Sequence, residues 1–113
     1  MSQITTHVLD TSKGKPAEGI AVTLEKSISE SNWEEISSGV TNTDGRVADL
    51  LADGVTIEPG IYRIVFDTGS YFDSNGVKGF YPSVTIVFQT QNTEHYHVPL
   101  LLNPYGYSTY RGS

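Results

Sequence analysis

Apolar and polar residues alternate in short runs along most of this chain, the period-2 signature of half-buried β-strands. Over residues 4–10, Ile4, Thr6 and Val8 fall on one face and Thr5, His7 and Leu9 on the other. The run 19–26 sets Ile20, Val22 and Leu24 inward, and a weaker run over 33–39 carries Trp33 as its anchor. A short strand is predicted over 46–50, another over 61–67, and a third over 81–89, where Val84, Ile86 and Phe88 oppose Ser83, Thr85 and Val87. Two more fall over 95–100 and 107–110.

Turn chemistry separates these runs. Thr11 to Pro16 carries Ser, Gly and Pro; Asp44-Gly45 is the strongest short turn signal; Glu58-Pro59-Gly60 and Asn103-Pro104-Tyr105-Gly106 complete the set. Residues 67–76 lack strand alternation, and a short surface helix is predicted over 69–74. Eight short strands at intervals of about ten residues form the pattern of an all-β antiparallel sandwich. With 113 residues and no internal repeat or linker, residues 1–113 read as a single domain with room for a real core.

Composition narrows the chemistry. There is no cysteine, so neither disulfides nor a thiolate site is available. A net charge of −6 argues against nucleic acid or an anionic membrane as partner. No apolar run approaches the length of a membrane span, and no basic-then-apolar leader is present, so a cytoplasmic protein is expected. No Gly-rich phosphate loop and no GxSxG elbow occurs in the sequence.

The chemistry-bearing residues gather toward the end. Residues 94–113, EHYHVPLLLNPYGYSTYRGS, hold two of the three histidines and four of the seven tyrosines. On a strand here, Tyr96, Val98 and Leu100 form the core face, and His95, His97 and Pro99 the other, with the imidazoles roughly 7 Å apart. A hairpin at 103–106 returns the chain, which brings Tyr110 and Arg111 within reach of the histidine pair. Tyrosines also favour strands with no further role. His7 projects from the non-core face of its own strand. A lone histidine on a strand is ordinarily a packing or surface residue, but three from the non-core faces of two strands are a candidate set for proton transfer near neutral pH. Arg46, just past the Asp-Gly turn, is either a solvated arginine or a planar, bidentate clamp for an oxyanion or imide. His95-x-His97 with His7 has the ligand count of a three-histidine zinc site, but that spacing is common and no metal is expected.

These residues carry a resemblance. Thr6-His7-Val8-Leu9-Asp10, Gly14-x-Pro16-Ala17, Thr43-Asp44-Gly45-Arg46 and above all the closing EHYHVPLLLNPYGYSTYRGS resemble the 5-hydroxyisourate hydrolases, the transthyretin-like branch of purine catabolism. The likeness spans essentially the whole chain, and Tyr110-Arg111-Gly112-Ser113 is its most specific mark; Asn103 stands where that family often has Ser. The resemblance implies a transthyretin-like sandwich of two four-stranded sheets with one short helix. It implies a homotetramer, a dimer of dimers with sites at the dimer–dimer interface, and cofactor-free hydrolysis of 5-hydroxyisourate to 2-oxo-4-hydroxy-4-carboxy-5-ureidoimidazoline. It assigns His7, Arg46 and His97 as the catalytic trio, with Tyr110, Arg111, Gly112 and Ser113 closing the substrate site; His95, on the same face as His97 but at the start of its strand, reads as peripheral. Transthyretin, a hormone carrier, resembles the same framework but lacks the terminal YRGS and the histidines matching His7 and His97. The alternative function is thus a small-ligand carrier without catalysis, and a zinc hydrolase is a third, weaker reading.

Overall fold

The computed structural model describes residues 2–112, which form two four-stranded sheets and one short helix. In chain order the elements are β1 (Ile4–Asp10), β2 (Lys15–Pro16), β3 (Ala21–Ser29), β4 (Asn32–Val40), β5 (Gly60–Phe66), α1 (Thr68–Ser74), β6 (Val84–Thr90), β7 (Tyr96–Asn103) and β8 (Gly106–Thr109). One sheet is ordered β2-β1-β7-β8 and the other β4-β3-β5-β6. The expected sandwich, its two four-stranded sheets and its helix are all present.

The inward faces of β1, β3 and β7 are those that the alternation marked, and β5 adds its own buried face. Ile4, Val8, Val98 and Leu100 from the first sheet meet Val22, Leu24, Ile64 and Phe66 from the second, all buried. Each fully buried aliphatic side chain contributes roughly 1.5–3 kcal/mol of hydrophobic stabilisation. This apolar layer holds β1 and β7 rigidly side by side. On the inner face Thr6 Oγ1 donates to the Val98 carbonyl at 2.6 Å, so even the polar member of that face is satisfied.

Two departures from the sequence reading bear on the site. First, β1 pairs with β7 in parallel, while the other strand pairings are antiparallel. Hairpin signals report neighbours in sequence; β1 and β7 meet only after the chain has built the whole second sheet, and so long a connection permits parallel pairing. The register sets Thr5 opposite His97 and His7 opposite Pro99. Second, residues 46–50 are not a strand. Arg46 makes a single bridge to His7, and Val47, Leu50 and Leu51 then bury themselves as irregular chain. Asn42 Oδ1 accepts from the amides of Asp44 and Arg46, taking donors a strand would need. Asp49 adopts φ 56°, which stops an extended run. The eighth strand is instead β2, whose Pro16 pairs with Leu9 at the sheet edge, where a missing amide donor is tolerated.

The helix is capped by Asp67, whose carboxylate accepts from the Ser70 amide at 3.2 Å. Tyr71 of α1 donates its hydroxyl to Asp10 Oδ2 at 2.7 Å and so ties the helix to the end of β1. Burial pulls the Asp10 carboxyl upward, but hydrogen bonds from Ser12, Tyr71 and the Lys13 amide outweigh it and leave it below its ordinary value. Burial, then the bond to Asp10, pushes the Tyr71 phenol well up.

Candidate active site

The outward face of the β2-β1-β7-β8 sheet carries Thr5, His7 and Leu9 from β1 beside His97 and Leu101 from β7, each half-buried. Because the two strands run in parallel and in register, these side chains lie abreast on one surface. His95, immediately before β7, continues the same row.

Arg46 reaches this face through its turn. Gly45 adopts φ +76°, and a Cβ there would overlap the Val8 carbonyl oxygen. Only glycine permits the turn to press onto β1, where the Val8 amide donates to the Gly45 carbonyl at 2.8 Å. The next residue, Arg46, bridges His7 in antiparallel register, and residues opposite each other in such a pair point to the same side. Thus the guanidinium shares the histidines' surface.

The His97 ring is fixed from two sides. Its Nδ1 lies 2.8 Å from Thr5 Oγ1. Its Cδ2 edge is covered by Gly112, where a Cβ would overlap the imidazole, and the Gly112 amide donates to the His97 carbonyl at 2.9 Å. That leaves Nε2 as the ring nitrogen free to meet a ligand; among the described residues it has no hydrogen-bond partner. Burial, then the positive charge of Arg46 and the electrostatic influence of the neighbouring His95 and His7 rings, hold His97 below the ordinary histidine value of 6.5. At neutral pH it is a neutral imidazole with a lone pair available.

The structure therefore brings His7, Arg46 and His97 to one face, with Gly112 against His97. It places the rest of the closing segment differently. Tyr110 is 59% exposed beside a cavity of about 290 Å³ that reaches from His97 to Phe88. The Arg111 guanidinium lies 4.5 Å from the centroid of the Tyr96 ring. Tyr96 leaves β7 on the face opposite His97, so Arg111 anchors the segment by a cation–π contact and leaves the imidazoles to others. Ser113 lies outside the described residues. Sequence reasoning missed Thr5, whose signal was its place on the same alternating face as His7, and set His95 aside. Thr5 Oγ1 lies 2.8 Å from His95 Nε2 as well, and the His95 and His97 rings stack at 6.3 Å. Among the described residues no group of three His, Asp or Glu side chains is arranged to hold a metal ion.

Residues 4–112 match the family model described as the HIUase/Transthyretin family. The chain belongs to that family. The 5-hydroxyisourate hydrolase of Salmonella dublin is 45% identical over 111 residues, which is 97% of this chain and 80% of that one. Among solved structures, Klebsiella pneumoniae 5-hydroxyisourate hydrolase superposes with a TM-score of 0.84 at 35% identity, covering 97% of this chain and 92% of that one. Sea bream transthyretin in complex with thyroxine gives a TM-score of 0.90 at 29% identity, covering 98% and 95%. The sandwich is thus common to a 5-hydroxyisourate hydrolase and to a transthyretin that binds thyroxine, and alone does not separate them. Side chains on its surface do.

Gly112 offers a test of the packing. Gly112→Ala should push the His97 ring off its position with the fold intact, and misplacement of that size costs on the order of 10²-fold in rate. Circular dichroism and steady-state kinetics together check this; an unchanged rate would mean that the ring has room to spare.

Proposed function

We infer that this chain is a 5-hydroxyisourate hydrolase of urate degradation, which opens the six-membered ring of 5-hydroxyisourate to give 2-oxo-4-hydroxy-4-carboxy-5-ureidoimidazoline. The observation that carries the reading is the convergence of a neutral, partly desolvated imidazole and a guanidinium on one surface, supplied by segments about fifty residues apart. A carrier of aromatic ligands has no use for that pairing. An enzyme that hydrolyses a cyclic imide does.

His97 Nε2 takes a proton from water as the oxygen attacks the ring carbonyl. Arg46 holds the planar substrate through two parallel N–H donors and stabilises the oxyanion that develops. The tetrahedral centre then collapses, the carbonyl–nitrogen bond breaks, and the proton held by His97 passes to the departing nitrogen. His7, beside Arg46, orients the substrate. Gly112 keeps the His97 ring in place, Arg111 anchors the closing segment on the Tyr96 ring, and Tyr110 forms the wall that limits access of bulk water. No cofactor or metal enters any of these steps.

The same proposal includes a homotetramer, a dimer of dimers, and a cytoplasmic location. β6 and β8 each lie at one edge of their sheets, and Val87 on β6, Tyr107 on β8 and Tyr105 just before β8 are exposed. Open strand edges of this kind suit pairing with a second copy. Two such dimers facing across the histidine surface would turn it into a channel. No helix among the described residues is long and apolar enough to cross a membrane.

The test is to mix the protein with freshly formed 5-hydroxyisourate in water enriched in heavy oxygen. The reading expects faster loss of the substrate's ultraviolet absorbance and one heavy oxygen in the new carboxylate. No acceleration, with saturable binding of the substrate or of an aromatic ligand, would support the carrier instead.

A further inference from the structure

The mechanism above leaves two polar side chains of the same surface unused. Thr5 Oγ1 sits 2.8 Å from His97 Nδ1 and 2.8 Å from His95 Nε2. A hydroxyl owns one proton and two lone pairs. It can donate to only one of the two imidazoles, so the other must donate to it. The three groups therefore form a polarised chain whose direction fixes which nitrogen of His97 carries hydrogen.

The geometry points to Thr5 and His95 as positioning residues for the hydrolysis, a proton relay that sets the tautomer of His97 and carries its Nδ1 proton away when Nε2 is loaded. This rests on the hydrolase reading. In the resting state His97 Nδ1–H donates to Thr5 Oγ1, and the Thr5 hydroxyl donates to His95 Nε2. His97 Nε2 is then bare and faces the water to be activated. When Nε2 takes a proton from water, Nδ1–H passes to Thr5 Oγ1 while the Thr5 hydroxyl proton passes to His95 Nε2. His97 stays neutral as the opposite tautomer, and His95 becomes the imidazolium. When Nε2–H is delivered to the departing nitrogen, the proton on His95 returns through Thr5, and the chain is as it began.

Charge placement explains the direction. Among the described residues the groups whose electrostatics shift His97 are Arg46, His95 and His7, with Arg46 the largest, while Tyr110 and Arg111 line the cavity on its other side. Along the β1–β7 register the order runs His95, then Thr5 opposite His97, then His7 with Arg46. Transfer to His95 thus moves positive charge to the end of the row remote from the guanidinium. His95 also borders a shallow crevice lined by Gln3, Val55, Thr56 and Thr93, where water can solvate the cation.

The experiment compares wild type with Thr5→Val, Thr5→Ser and His95→Phe by kinetics and by nitrogen-15 NMR of the imidazoles. Valine keeps the shape and strand preference of Thr5 without its hydroxyl. The relay expects Thr5→Val and His95→Phe to lower kcat by at least about tenfold with KM little changed, since neither residue touches substrate; loss of the group that fixes a catalytic tautomer costs up to about 10⁴ elsewhere. Thr5→Ser should restore the rate. In resting wild type the His97 Nδ1 should carry the proton, and in Thr5→Val that preference should weaken, because only the backbone interaction of residue 5 with the imidazole remains. A Thr5→Val protein with wild-type kcat, or a wild type with its His97 proton on Nε2, overturns the relay. The NMR readout needs no turnover: an inactive wild type with the Nδ1 proton in place sinks the hydrolase reading and upholds the hydrogen-bonded chain.

Discussion

Replacing His97 with alanine is expected to lower kcat/KM for 5-hydroxyisourate by about 10²–10⁴-fold, the usual contribution of a general base. The loss arises because no other described group occupies the same position. His7 stands two residues along the row and is bridged to Arg46, and His95 is turned toward Thr5. Fold should survive, since His97 lies on the outward face and the buried contacts of β7 are made by Tyr96, Val98 and Leu100. Initial rates from ultraviolet absorbance, corrected for spontaneous decay, give the number. A variant within a few-fold of wild type would move the base to another residue, with His7 the next candidate.

Arg46→Ala is expected to cost about 10²–10³-fold in kcat/KM, the price of removing a preorganised donor from a developing oxyanion. It has a second consequence that a purely structural arginine would not have. His97 is held below the ordinary histidine value by burial first and by the Arg46 charge next. With that cation gone, His97 binds its proton more tightly and its midpoint moves up toward 6.5. The acid limb of the rate profile must therefore move to higher pH, and the variant's deficit should be larger at about pH 6 than at about pH 8. An equal deficit at both would leave Arg46 a binding role but no electrostatic influence on the base.

Much of this was legible in the chain because the deciding physics was local. Alternation set the inward residues of β1, β3, β6 and β7, and the lack of it marked α1 within a residue of its start. The Asp44-Gly45 signal placed the turn that delivers Arg46, and the position of His7 and His97 opposite the core-facing residues put both on the outer surface. What escaped was non-local. Nothing within residues 4–10 or 95–100 states that the two strands run in parallel, nor that Thr5 rather than His7 lies opposite His97. Residues 46–50 have the composition of a strand, but the side chain of Asn42 and the left-handed Asp49 end it. Arg111 fell within reach of the histidines on a hairpin argument, whereas the Tyr96 ring on the other face captures its guanidinium. Thr5 went unnoticed because a threonine in a strand needs no explanation until two imidazoles converge on its hydroxyl.

The account's central claim is that a neutral His97 activates water beside a guanidinium, and the pH dependence of kcat/KM in the wild-type protein tests it most directly. The predicted profile rises through a single ionisation on the acid side of 6.5 and is level through neutrality. A profile flat across that range, or one that rises only on the alkaline side of 6.5, would contradict it.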